Sequence, residues 1–518
     1  MCTAGRCRRS GLYPTARRRE GGQALARSCT ALEMVDAPAS AWSVCSEYLQ
    51  ILDLKDDCSM ARRRAAKRPA PIYRSGPNFA RSDLRIGVQG FKAAHDAVSV
   101  RVAPLTIISG ANSGGKSSFM QPLLLMKQTL DAGFDPGPLL LHGANAKFTE
   151  RDQTLSRGKS KGSKVTEFSV DLQAGDHHRR VVYEDSIDGF AIKSDLFEDA
   201  ERTIQLTPSL NAAQARELER HVSGLGETVM RQAKDGLFPG SAGEDVGLAV
   251  RRDRCFLEGV IAIGRNTIGI DAFDSHTDEW VQLISGIVHV PGLRGNPERE
   301  YPRAAVGGNF PGTFDQYVAS VIYEWGEKGD PRVADLSQQM EELGLTWKIV
   351  AKRKNDAAVE VLVGRVPHAQ QGGALDLVSI ADVGFGVSQT LPVVVSLLAA
   401  APGQIVYIEQ PEIHLHPRAQ VVMGSILAAA AARGVKVVAE THSSLLIRSI
   451  QTEIALGRVK ARDVSLNWFS RDPMGYAQVN VAKVDEKGRF GEWPLDFDDV
   501  SDEADVAYIQ AIRAGARS

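Results

Sequence analysis

The stretch PLTIISGANSGGKSS sets Gly110, Gly115, Lys116 and Ser117 at GxxxxGK[ST] spacing behind the β-prone run Leu105 to Ser109. Residues of these types at this spacing make a P-loop. Glycines let main-chain N–H groups curl around phosphate oxygens, and the helix that follows turns its positive end towards them. Lys116 then reaches the β- and γ-phosphates and Ser117 ligates magnesium, with Asn112, Gly114 and Ser118 completing the cradle. The chemistry implied is the binding of a nucleoside triphosphate, with ATP and Mg2+ as the expected cofactors.

A metal at Ser117 needs an acid from the end of another buried strand. The run IVYI, closed by Glu409, has that form, and Glu409 is the expected metal ligand. Further on, VKVVAETHSSLL gives a second buried strand ending in Thr441, His442 and Ser443. Glu409 stands 293 positions after Lys116, so a large insertion divides the site. Gly and Pro recur through it, in LFPGSAGE, VPGLRGNP and GGNFPGTF, which predicts a compact insertion rather than a coiled coil. Just upstream of the acidic strand, DVGFGVSQTLPVVVSLL is a Gly-rich turn with Ser388 and Gln389 opening an apolar helix, simple helix capping being the alternative role for those two.

In this order the motifs resemble the ABC-type ATPase head shared by SMC, RecF and the overcoming-lysogenization-defect proteins. More narrowly, IEQPEIHLHP, VHVPGLRGNPEREY and VDEKGRFGEWPLDF resemble a group of prokaryotic AAA-family ATPases that end in a small domain of unknown function. The similarity spans roughly residues 84 to 510. It implies an α/β P-loop NTPase with an ABC-type head, an antiparallel β lobe, an α-helical insertion and a small C-terminal domain. It also implies an ATP-dependent homodimer, in which Gly384, Gly386 and Ser388 of one protomer cover the γ-phosphate held by the other and His442 senses that phosphate. DNA processing or anti-phage defence is the setting implied, with nucleic acid or a separately encoded effector protein as partner.

In that pattern a metal-binding Asp is followed at once by a water-activating Glu, whereas here Glu409 is followed by Gln410. An amide cannot take a proton, although it can orient water, because phosphoryl transfer rests mainly on positioning and electrostatics. Three readings follow. In the first, which we favour, Gln410 orients the water and Glu412 takes the proton. In the second, Glu409 and Gln410 suffice for slow hydrolysis. In the third, hydrolysis is lost and ATP only dimerises a scaffold that holds an effector. Glu412, His414 and His416 alternate as metal ligands would, but Pro411 and Pro417 argue against the strand this requires.

The elements that must position these residues divide the chain into a basic tail (1–82), a first half of the head (83–135), a β lobe with helical insertion (136–370), a second half of the head (371–460) and a small C-terminal domain (461–518). Alternation over 165–183 predicts a β-hairpin, with His177, His178, Arg179 and Arg180 at a solvated tip. Residues 210–237 and 313–343 read as one helical lobe. SRGKSKGSK, with Arg157, Lys159, Lys161 and Lys164, reads as a solvated basic loop. Arg294 and Arg299 are candidates for phosphate contacts or surface ion pairs. A hairpin turning at Lys487 and Gly488 is expected near the end, followed by a solvated acidic run, DFDDVSDEAD.

Composition frames this. With 518 residues, 43% hydrophobic and 24% charged at a net charge of −2, the chain has an ordinary globular make-up of two or three domains. Its longest apolar runs fall short of the ~20 residues a membrane span needs. Five cysteines lie within the first 58 residues without metal-ligand spacing, and Cys255 stands alone, which fits a reducing, cytoplasmic setting. Residues 1–85 hold 16 Lys and Arg against 8 Asp and Glu. They read as a disordered tail or an over-long start, with Met34 or Met60 then the true first residue, or more sharply as a nucleic-acid-binding arm.

Overall fold

The computed structural model describes residues 79–160, 162–238, 241–365, 376–491, 506–510 and 512. The basic tail before residue 79, Lys161 and the acidic run after residue 491 therefore lie outside the described residues. Strands β1 (Leu84–Gln89), β2 (Val98–Val102) and β3 (Leu105–Gly110) lead into helix α1 (Lys116–Asp131). Then come β4 (Glu167–Ala174), β5 (His177–Ser186), β6 (Gly189–Glu198), β7 (Thr203–Leu206), α2 (Ala212–Leu218) and α3 (Gly224–Lys234). After β8 (Val246–Asp253), β9 (Phe256–Ile263) and β10 (Asn266–Asp271) follow α4 (Thr277–Ser285), β11 (Val288–Val290), β12 (Tyr301–Pro302), α5 (Val318–Lys328) and α6 (Arg332–Glu342). The chain continues through β13 (Ile349–Arg353), β14 (Ala358–Gly364), β15 (Leu377–Ser379), α7 (Phe385–Ala399), β16 (Ile405–Glu409) and α8 (Pro417–Ala432). It closes with β17 (Lys436–Glu440), α9 (Ser444–Ala455), β18 (Val464–Arg471) and β19 (Ala477–Ala482).

A six-stranded sheet in the order β11-β16-β17-β3-β18-β19 carries the head. Its first five strands are parallel and β19 is antiparallel. Parallel strands need both faces covered, and successive side chains alternate between them. Leu105, Ile107, Val406, Ile408, Val437 and Ala439 join one core with residues of α7, α8 and α9. Ile108, Ile405, Tyr407 and Val438 face the other way, into the core that holds Phe119, Met120 and Leu123 of α1. The acids at the strand ends inherit this parity. Glu409 lies two residues beyond Tyr407, and Glu440 two beyond Val438, so both belong to the α1 face.

Beside this sheet stands an antiparallel one in the order β2-β1-β4-β5-β6-β7. The hairpin expected over 165–183 is its β4–β5 pair, turning at Gly175 and Asp176. Arg179 departs from the solvated tip expected for it: it is fully buried, because β5 runs on as an inner strand paired with β6. Its guanidinium donates from Nε and Nη2 to Asp195 at 2.9 and 2.7 Å and from Nη1 to Thr277 Oγ1 at 2.8 Å, and it stacks 4.2 Å from the Phe256 ring.

Two further readings change. The helical stretches do not share a lobe: α2 and α3 pack beside the three-stranded sheet β10-β9-β8, while α5 and α6 pack beside β13, β14 and α7 in the core of the head. Nor does the segment after residue 461 begin a separate domain, since β18 pairs in parallel with β3 inside the central sheet. The turn at Lys487 and Gly488 is present, closed by the Gly488 N–H donating to the Asp485 carbonyl at 2.9 Å. Among the described residues no helix is long and apolar enough to cross a membrane.

Candidate functional site

The loop from β3 to α1 is shaped by the backbone of β18. A Cβ at Gly110 would lie 2.0 Å from the Phe469 carbonyl oxygen, and one at Gly114 would lie 2.7 Å from it. Gly110 and Gly115 also take φ values of 139° and 102°, which side chains resist. Ala111, Asn112 and Ser113 stay exposed, and Ser118 is half-buried one turn into the helix. Lys116 is 4% exposed, and its ammonium folds back to donate to the carbonyls of Gly110 and Ala111 at 3.0 and 2.8 Å. Burial pushes its pKa down. The loop is thus a cradle with a desolvated cation held over its own main chain, and its residues fit a nucleotide's phosphates.

The acids are distributed differently from the expectation. Glu409 turns towards β11: its carboxylate accepts from Gly292 N–H at 3.0 Å and lies 3.4 Å from His289 Nε2. Burial acts to raise its pKa, but these contacts and the Arg294 charge outweigh it and leave the carboxyl below its usual range. Glu440, a residue the sequence reading passed over, is the one that meets the P-loop. Ser117 Oγ donates to Glu440 Oε1 at 3.0 Å, and the Tyr407 hydroxyl donates to Oε2 at 3.2 Å. The signal was present in VKVVAE, an apolar strand closed by an acid just as IVYIE is.

Gln410 leaves the end of β16 with φ at 46°, its N–H donating to the Glu440 carbonyl at 2.8 Å. Its side chain is half-buried beside the strand ends. Glu412 is 9% exposed; Oε1 accepts from His442 N–H at 2.8 Å, while Oε2 is buried without a hydrogen bond. Burial raises its pKa. The His442 ring is exposed, and partial desolvation together with the Lys116 charge pushes its pKa down. His416 caps α8 and His414 lies beside Phe385, so neither joins Glu412 at one point.

On the far side of β16, Arg294 is buried and donates to the carbonyls of Gln389 at 2.9 Å and Glu409 at 2.7 Å. Gln389 answers by donating to the carbonyls of Arg294 and Gly295 at 3.0 and 3.1 Å. The sequence offered no sign that this arginine would bind main chain rather than phosphate. Arg299 is exposed and paired with Asp382 at 2.6 Å. At the start of α7, Gly384 and Phe385 are exposed, whereas Ser388 turns inward, bonding the Phe385 carbonyl at 3.2 Å and lining a cavity of about 400 Å³ with Arg294, Tyr301 and Asp315.

Residues 246–448 match the family model described as "AAA domain, putative AbiEii toxin, Type IV TA system". That span holds the α7 turn, Glu409 and Glu440 and lies downstream of the P-loop. No curated protein matches the chain. Among solved structures, an SMC head bound to the C-winged helix domain of ScpA is similar at 10% identity, covering 78% of this chain and 98% of that one, with a TM-score of 0.38. The SMC head domain from Thermotoga maritima is similar at 8% identity, 76% and 97% coverage and a TM-score of 0.34. Residues 246–448 are thus similar to an AAA domain, and the sheet order and the β3–α1 loop are those of an α/β P-loop NTPase fold with an ABC-type head.

Proposed function

We propose that this protein binds ATP with Mg2+ at the β3–α1 loop and hydrolyses it between two protomers. The observation that carries the reading is Lys116, a desolvated cation bonded only to the Gly110 and Ala111 carbonyls and ready to exchange them for phosphate oxygens. Magnesium, when bound, neutralises charge on the β- and γ-phosphate oxygens. The remaining work falls to the chain. Lys116 holds the γ-phosphate, Gln410 orients a water, and Glu412, with one oxygen free of hydrogen bonds, accepts that water's proton. His442 approaches the γ-phosphate from the end of β17. Gly384, Gly386 and Phe385, at the exposed opening of α7, would meet the partner protomer's nucleotide, while Ser388 acts from behind as a support.

The setting we propose is anti-phage defence or DNA processing, with the ATP-bound dimer holding DNA or a separately encoded effector. The type IV toxin–antitoxin wording of the matched family supports the former. A second reading, a non-hydrolysing ATP-dependent scaffold, draws on an amide, Gln410, standing directly after Glu409 and on Glu412 already bonding a main-chain N–H. Steady-state ATP turnover, with and without double-stranded DNA, separates the two. Wild type should turn over, Glu412→Gln should bind ATP without turnover, and Gln410→Ala should be slowed. Turnover kept in Glu412→Gln but lost in Gln410→Ala would transfer the role to water orientation alone. No turnover in any form, with ATP-dependent dimers intact, would establish the scaffold.

A further inference from the structure

We propose that Glu440, rather than Glu409, is the carboxylate that completes the magnesium site with Ser117; this rests on the reading that the P-loop binds ATP with a divalent cation. Glu409 and Glu440 are register partners at the ends of two parallel strands and share the face covered by α1. Of these two strands it is β17, not β16, that is hydrogen-bonded to β3, with Glu440 paired to Ile108. Adjacent strands lie about 4.8 Å apart, so the main chain of Glu409 is one strand further from β3 than that of Glu440.

The hydrogen bonds then assign the two acids to different tasks. Ser117 gives its single hydroxyl proton to Glu440 Oε1, which leaves the lone pairs of Oγ for a cation. Tyr407, fully buried and stacked 5.4 Å from the His289 ring, fixes the other Glu440 oxygen. Glu409 has no such link to the P-loop. Both of its oxygens are engaged on the β11 side, by His289 and by Gly292 N–H. Glu440 is 5% exposed, and among the described residues no Lys or Arg forms an ion pair with it. The Lys116 ammonium, its nearest cation in the loop, is bonded to carbonyls instead. A divalent cation between Ser117 and Glu440 would supply the missing charge, and Mg2+ is ordinarily held by one or two carboxylates plus phosphate oxygens and water. Glu409 is then a positioning residue that ties β16 to β11 and sets where Gln410 leaves the strand.

The test uses the purified full chain, Mn2+ as a paramagnetic stand-in and adenylyl imidodiphosphate as nucleotide. Electron paramagnetic resonance gives Mn2+ affinity in the ternary complex, and a fluorescent ATP analogue in EDTA gives nucleotide affinity without metal. Glu440→Gln should weaken Mn2+ binding by about tenfold or more while metal-free nucleotide affinity is unchanged. Glu409→Gln should weaken it much less. Should Glu440→Gln fail to fold, Glu440→Asp, which keeps the charge but withdraws it from Ser117, should show a smaller loss in the same direction. Wild-type Mn2+ affinity in the Glu440 variants, or an equal or larger loss in Glu409→Gln, would overturn the assignment while leaving ATP binding standing. Failure of wild type to bind nucleotide in either buffer would instead sink the ATP reading itself.

Discussion

The Arg179–Asp195 pair in the antiparallel lobe and the Lys116, Glu412 and Glu440 group at the strand ends are buried to a similar degree, yet their charges are treated oppositely. Asp195 is saturated: Arg179 bridges both oxygens and Leu257 N–H adds a third bond at 2.8 Å. At the strand ends, Lys116 has only carbonyls, Glu440 only hydroxyls, and Glu412 keeps an unbonded oxygen. A saturated buried pair holds structure together, whereas buried charge left short of counter-charge is retained where something else is to bind.

The largest effect expected from this contrast is on stability. Asp195→Ala strands a buried guanidinium and should cost about 3–5 kcal/mol, read by urea unfolding. The double variant Arg179→Leu with Asp195→Leu should cost less than the single one. A double variant that loses as much would show that packing, not charge satisfaction, is what the pair provides.

Lys116→Ala should behave in reverse. Its carbonyl contacts are few, so unfolding should change little, but a charge-assisted contact to phosphate is worth about 3 kcal/mol and nucleotide affinity should fall about a hundredfold. A large loss of stability without loss of ATP affinity would erase the distinction between the two regions.

How much of this was legible in the sequence differs by residue, for physical reasons. The P-loop was plain because its function lies in local backbone conformation, and Gly110 to Ser117 carry that conformation in their spacing. The central strands were legible as apolar runs closed by acids. Glu440 was not singled out because what selects it is the neighbour of β17 in the sheet, and β3 lies more than three hundred residues upstream. Arg179 misled for a similar reason: strand alternation gave β5 correctly but said nothing of β6, β9 and α4 closing over it. Arg294 carried no signal at all, since its partners are main-chain carbonyls that any residue supplies.

A smaller effect is expected from pH. Glu412 as proton acceptor works only when ionised, and burial raises its pKa, so turnover should fall as pH drops through a value above the ordinary carboxyl range of about 4.3. Glu409, held low by His289 and Gly292, should not contribute to that limb. The pH profile of kcat tests this directly. An acid limb at the ordinary carboxyl value, or one that persists in a Glu412→Gln variant with residual turnover, would remove Glu412 from the step.

The smallest effect sharpens the comparison within a single segment. GLRGNPERE holds Arg294 and Arg299 five positions apart, one buried against main chain and the other 69% exposed at its side chain and paired with Asp382. Exposed pairs are worth at most about 1 kcal/mol, so Arg299→Ala should shift unfolding by less than that, while Arg294→Ala should lose several times more. Because the exposed Arg299–Asp382 pair contributes little to the fold, any larger consequence of its removal must appear in binding. A DNA affinity that fell in Arg299→Ala, with a shallower salt dependence by about one phosphate contact, would place nucleic acid on this face of the head. Unchanged affinity and slope would leave the arginine as a surface ion pair beside the α7 turn.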